Sequence, residues 1–213
     1  MASAVIPYFP SASHGTQQEK GYLPGLNWTE AAAQIMMQMQ QVDLQLWGHS
    51  GRVARYAFLL AQAYGLDEDA QLSAALSGLL HDVGKLALPV ELLCLPKRLS
   101  TAERTQVESH VALGVLQLQQ LQVPPDIILA VAHHHERWDG SGYPSGLRGI
   151  STSLCGRILG VVDVFDALST ARPYKQAWQP QAVTDTLNAM AKNQKLDSIL
   201  VEIFLSQVRS RML

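Results

Sequence analysis

Residues 74–85 read AALSGLLHDVGK: an apolar run of Ala74, Ala75, Leu76, Leu79 and Leu80 that ends on the adjacent polar pair His81-Asp82, with Gly84 and Lys85 just beyond. Asp67, Glu68 and Asp69 open the same segment, where negative side chains complement the positive end of a helix, so the pattern predicts a helix over 67–82. An imidazole and a carboxylate at the end of a buried helix need partners, because burying a polar group without one is costly. The segment points to a helical protein that carries polar groups into its own interior.

The flanking segments read the same way. Upstream, Asn27 and Glu30 form a capping-box pair at the head of a helix expected over 28–46, with Gly48 as its break. A second helix is expected over 49–64, with Val53, Tyr56, Ala57, Leu60 and Ala61 on one face and Gly65 as its stop. Downstream, Ser100 and Glu103 make another capping box, opening a helix that runs through His110 to about residue 121. Pro124 and Pro125 suit the first turn of a helix that passes Ile127, Ile128 and Val131 to the His133-His134-His135 run. A Gly-rich loop over 139–149 follows, then helices over 153–169, 180–192 and 197–211. No segment alternates as a strand. The expected fold is all-α, a helical bundle, an architecture that can build metal sites from side chains of facing helices.

Residues 1–26 carry Pro7, Pro10 and Pro24 among Ser, Gly and Gln, and are expected to form a flexible arm or linker that can dock through Tyr8 and Phe9; residues 27–213 form the domain. With 213 residues, 47% of them hydrophobic, the chain can bury a sizeable core. A formal charge of -2, with Lys97-Arg98 as the longest basic cluster, provides no field for DNA, RNA or an anionic membrane. No apolar run approaches the ~20 residues of a membrane span, and the first residues lack the pattern of a signal peptide. Cys94 and Cys155 have no CxxC spacing, which argues against a disulfide framework or a cysteine-rich zinc site and fits a cytoplasmic protein.

The histidines are distributed unevenly. His14 lies in the arm, while His49, His81, His110 and the 133–135 run fall on helices or at their ends. Asp163 sits in ILGVVDVFDAL with Asp166 three residues on, so the two carboxylates can share a face. Taken singly, each has an ordinary explanation: a lone histidine is more often a hydrogen-bonded structural residue than a ligand, and Asp166 can be a helix-face charge. His133 reads as spare, because neighbours on a helix point about 100° apart and all three imidazoles can scarcely converge. Together, one shared metal centre explains them more economically, since imidazole and carboxylate are the ligand set of first-row transition metals.

His81-Asp82-Val83-Gly84-Lys85, then His134-His135-Glu136-Arg137-Trp138-Asp139-Gly140-Ser141-Gly142-Tyr143-Pro144, then Asp163-Val164-Phe165-Asp166, then Arg172-Pro173-Tyr174-Lys175, resemble the HD-GYP family in order and spacing, over about three-quarters of the chain. The resemblance implies an HD-type bundle with a metal centre in its core. It implies His49, His81, Asp82, His110, His134, His135 and Asp163 as ligands, with Asp82 bridging two divalent ions. An N/O donor set of this size favours iron or manganese, with zinc, nickel or cobalt as alternatives. The implied activity is hydrolysis of cyclic di-GMP to linear pGpG and/or GMP by a hydroxide held between the ions. Asp82 and Lys85 are the implied catalytic residues, and Lys85, Tyr143, Asp166, Arg172 and Lys175 the implied substrate contacts, with Asp166 alternatively orienting a metal-binding residue from behind. The competing reading is a catalytically weak cyclic-dinucleotide-binding or scaffold protein that pairs with a diguanylate cyclase or another regulatory protein, and a homodimer is a further partner candidate. Two positions depart from the family. Gln45 stands where some members carry the carboxylate of a third metal, which predicts two ions rather than three, and Leu95 stands where lysine is common.

Overall fold

A computed structural model describes residues 27–93, 99–171 and 176–209. The expected arm 1–26, Cys94, Leu95, Lys97-Arg98, Arg172 and Lys175 lie outside them. Ten helices follow one another in the described residues: α1 Trp28–Val42, α2 Leu44–Tyr64, α3 Glu68–Leu80, α4 Val90–Leu93, α5 Thr101–Glu108, α6 His110–Gln120, α7 Pro125–His133, α8 Leu154–Ser169, α9 Pro180–Lys192 and α10 Ser198–Ile203. A 3-10 turn, Val83–Ala87, follows α3, and a π-helical turn, Phe204–Val208, extends α10. Among the described residues no strand forms. One isolated antiparallel bridge, Asp139 to Arg148, closes the Gly-rich loop. Nor, among these residues, is any helix long and apolar enough to cross a membrane.

The chain's own punctuation sets most boundaries. Asn27 with Glu30, and Ser100 with Glu103, form reciprocal capping boxes at the heads of α1 and α5. Asp67 caps α3 through Ala70 N, and Gly65 ends α2 in the left-handed conformation at φ 93°.

Two boundaries differ from expectation. The break after the first helix falls at Asp43, not Gly48: the Asp43 carboxylate accepts from Gln45 N at 2.7 Å and Leu46 N at 3.2 Å, and Gly48 continues inside α2. An interior glycine costs about 1 kcal/mol, which a cap and a packed helix face offset. The single helix expected through His110 is two, α5 and α6, parted at Ser109. There the Val107 carbonyl accepts from both Ser109 N and the His110 ring, which takes it out of the regular ladder.

Two apolar clusters make the core. One gathers Val53, Ala57 and Leu60 of α2 with Ile158 and Val162 of α8, Leu187 of α9 and Phe204; the other gathers Ile35 and Met39 of α1 with Leu46, Leu80, Leu118 and Val131. Helices α2, α3 and α7 contribute to both. Gly84 seats the 3-10 turn against the head of α6, where a Cβ would stand 1.9 Å from the His110 carbonyl oxygen and 2.5 Å from Gly114 N. Gly84→Ala is therefore expected to push His81-Asp82 away from His110 and destabilise the fold by roughly 1–3 kcal/mol, as overpacking does. Urea unfolding of the chelator-treated protein measures it, and an unchanged midpoint would contradict this packing.

Candidate metal centre

The seven residues that the sequence singles out as ligands come together although they span residues 49 to 163. Their donor atoms fall into two groups, each with members within 4.8 Å of one another: Asp82, His110, His134 and His135, and His49, His81 and Asp163. Helix ends deliver most of them. His81 and His134 follow the last turns of α3 and α7, His110 opens α6, and His49 and Asp163 project from within α2 and α8.

The same local bond orients three of the imidazoles. The Nδ1 atoms of His81, His110 and His134 lie 2.8, 2.7 and 2.6 Å from the carbonyls of Gly78, Val107 and Val131, each three residues back. A carbonyl only accepts, so Nδ1 carries the proton and Nε2 turns a lone pair inward. His110 Nε2 and His134 Nε2 face each other at 3.4 Å. Burial holds His110 and His134 below the ordinary histidine pKa and brings His135 down to about 3, so all three are neutral donors at pH 7.

Asp82 stands between the two groups. Its Oδ2 lies 3.3 Å from His81 Nε2 and 3.7 Å from His49 Nε2, and its Oδ1 lies 3.4 Å from His110 Nε2. Although burial opposes ionisation, the neighbouring His81 ring and Lys85 ammonium hold its carboxyl well below the usual range. Lys85 Nζ reaches Oδ2 at 2.6 Å. The donor set fits a cation on a second ground: His81 Nε2 and Asp82 Oδ1 are buried without a hydrogen-bond partner, a cost that native proteins rarely leave unmet.

His49 differs from the other imidazoles. Burial alone would lower its pKa, but hydrogen bonds to Asp163 and Asp166 outweigh that and raise it to about 9. Its Nε2 lies 3.2 Å from Asp163 Oδ1 and its Nδ1 2.7 Å from Asp166 Oδ2. A cation held by His49 must displace a proton. Metal affinity of the stripped protein should therefore rise about tenfold per pH unit from 7 to about 9, then flatten. Without metal the sign reverses: a raised pKa stabilises the fold fully below the unfolded value near 6.5, and that contribution is lost as pH rises through about 9. Competition with a chromophoric chelator measures the first trend and thermal melting the second; an affinity independent of pH over 7–9 would remove His49 from the donor set.

The remaining candidates separate. The Tyr143 ring lies against His135 with centroids 4.7 Å apart, and burial pushes its phenol pKa up. Asp166, expected either to orient a metal-binding residue or to touch substrate, is buried: Oδ2 meets His49 Nδ1 and Arg52 Nη2 at 2.7 and 3.0 Å, and Oδ1 accepts from Arg52 Nε at 2.6 Å. With its oxygens so engaged, its geometry fits the orienting alternative. Arg172 and Lys175 lie outside the described residues. His133 stays apart from both donor groups, and its Nδ1 accepts from Ser153 N at 3.1 Å at the head of α8.

Two residues of this arrangement were not singled out from sequence. Arg52 sits one turn beyond His49 on α2, a spacing that could have suggested it. Glu136 directly follows the ligand pair, yet its partners are Ser145 N and Leu147 N, which no local pattern reveals.

Residues 33–200 match the HD domain family. The chain is 40% identical over 162 residues to 3'3'-cGAMP-specific phosphodiesterase 2 of Vibrio cholerae, covering 74% of this chain and 30% of that protein. It is 40% identical over 141 residues to the cyclic di-GMP phosphodiesterase response regulator RpfG of Xanthomonas campestris, covering 65% of this chain and 37% of that protein. The chain thus spans about a third of the length of these curated relatives. Among solved structures, Bd1817, an HDG"Y"P protein from Bdellovibrio bacteriovorus, shares the fold with a TM-score of 0.63 at 17% identity, over 83% of this chain and 61% of that one.

Proposed function

The chain belongs to the HD domain family, and from that premise we propose that it is a metal-dependent phosphodiesterase that hydrolyses a cyclic dinucleotide, with cyclic di-GMP the first substrate to test and 3'3'-cGAMP the second. The observation that carries this reading is a seven-donor cluster, with two buried donor atoms unpartnered, that has a lysine ammonium at its edge. His49, His81, Asp82, His110, His134, His135 and Asp163 would hold two divalent ions, iron or manganese by the N/O donor chemistry. Such ions lower the pKa of water towards neutrality and draw charge from a phosphate oxygen.

The chain's own groups supply the rest. Asp82 stays ionised through the working pH range and presents one oxygen to each donor group. Asp166, held by Arg52, fixes the proton of His49 on Nδ1 and frees Nε2 for coordination. The Lys85 ammonium, a quarter exposed beside the cluster, is close enough to offset the charge that builds on a phosphate as its ester bond breaks. Tyr143 offers an aromatic wall next to His135, and Arg172 and Lys175 are proposed as phosphate contacts. Hydrolysis of one ester would release linear pGpG from cyclic di-GMP, and a second would release GMP.

The test uses protein stripped with chelator and reloaded anaerobically with Mn2+ or Fe2+, with products separated by chromatography and metals counted by elemental analysis. Two ions per chain and a linear product are expected; Gln45 is exposed and offers a neutral amide with no charge for a third cation. Tight dinucleotide binding without turnover under either metal would reject the enzyme reading in favour of a binding or scaffold role.

A further inference from the structure

The loop after the ligand pair His134-His135 is held at both limbs. On the outer limb, Lys195 Nζ reaches Asp139 Oδ2 at 2.7 Å and Ser141 Oγ at 2.8 Å, and Trp138 N donates to Lys195 O at 3.2 Å. On the inner limb, the Glu136 carboxylate accepts from Ser145 N at 2.7 Å and Leu147 N at 3.0 Å. Glu136 is only 5% exposed, and a carboxylate at that depth is tolerated where N–H donors are aimed at it. The limb lies close against the chain that carries the ligands: Tyr143 N donates to His135 O at 3.3 Å, and a Cβ on Gly142 would stand 2.5 Å from Glu136 Cα. The glycine thus permits a close approach to the protein's own backbone, not to a bound molecule.

We propose that Glu136 is a positioning residue for substrate: by tying Ser145 and Leu147 down it keeps the Tyr143 ring against His135 and sets the wall of the cleft that receives the cyclic dinucleotide. The inference rests on the phosphodiesterase reading for its substrate. Its mechanical part, the grip on the loop, stands independently. Glu136→Gln keeps the volume and one acceptor oxygen but turns an NH2 donor towards an N–H that needs an acceptor. Metal donors are untouched.

Residue-resolved hydrogen exchange and steady-state kinetics of the metal-loaded protein test this together. In Glu136→Gln the amides of Ser145 and Leu147 are expected to exchange at least tenfold faster than in the wild type, with metal content unchanged. KM for cyclic di-GMP should rise roughly tenfold while kcat stays within about twofold, as for a lost charge-assisted bond that shapes binding and not the chemical step. Unchanged exchange at both amides overturns the grip, and loss of metal or an equal fall in kcat overturns the positioning role. If the glutamine variant does not fold, Glu136→Asp, one methylene shorter, is read by the same criteria. Should the wild type hydrolyse no cyclic dinucleotide, the phosphodiesterase reading fails, while the exchange measurement still decides the role of Glu136 in the loop.

Discussion

Asp82→Asn is expected to reduce turnover to below ~0.1% and weaken metal binding by more than ~10²-fold, exceeding the 10–100-fold typical of changes one shell further out. The side chain keeps its shape and loses its charge, so the result isolates electrostatics. One oxygen of Asp82 faces His49 and His81 and the other faces His110, and no second carboxylate in the cluster spans the two donor groups in this way. A neutral amide would also present an NH2 to one of those imidazoles, where the proposed site needs an anionic oxygen. The fold should survive, because the change relieves the burial cost of a carboxylate even as it removes the partner of Lys85. Circular dichroism, elemental analysis and product chromatography together check this, and near-normal metal content with near-normal turnover would dismantle the two-ion assignment.

Lys85→Ala should separate binding of metal from chemistry. Lys85 sits on the 3-10 turn Val83–Ala87 and places its ammonium 2.6 Å from Asp82 Oδ2, where it competes with any cation for the same oxygen. Removing it should leave metal affinity equal or slightly higher, while kcat falls roughly 10²- to 10³-fold, as for one preorganised charge lost from a transition state. The two effects run in opposite directions, which a folding defect would not produce. Lys85→Arg should recover only part of the rate, since a planar guanidinium does not reproduce a compact ammonium. An unchanged kcat in Lys85→Ala would leave Lys85 only as the ion-pair partner of buried Asp82.

What could be read from the chain divides by range. The capping boxes at Asn27 and Ser100 and the stop at Gly65 are short-range chemistry, and they fall where the sequence predicts. The break falls at Asp43 and not at Gly48 because a carboxylate that caps the amides two and three residues on sets a helix start, whereas a glycine inside a packed helix costs only about 1 kcal/mol. The site residues are visible as polar anomalies in apolar segments, yet the partners of Asp166 are not, because His49 and Arg52 lie more than 110 residues away. Lys195 and Asp139 meet across 56 residues, and nothing local in either segment announces that pair.

The carbonyl three residues behind His81, His110 and His134 sets each ring's orientation from within its own turn, with no distant part of the chain needed to aim it. For these three rings, the entropy cost of fixing the side chain is tied to the helix end that carries it. Long-range assembly then joins a few preset units: the His81-Asp82 end, the turn bearing His110, the His134-His135 end, and the crossing of α2 with α8 that brings His49 to Asp163. Ring orientation at these three positions is thus a property of the local turn, and the long-range contacts have only to bring correctly oriented rings together.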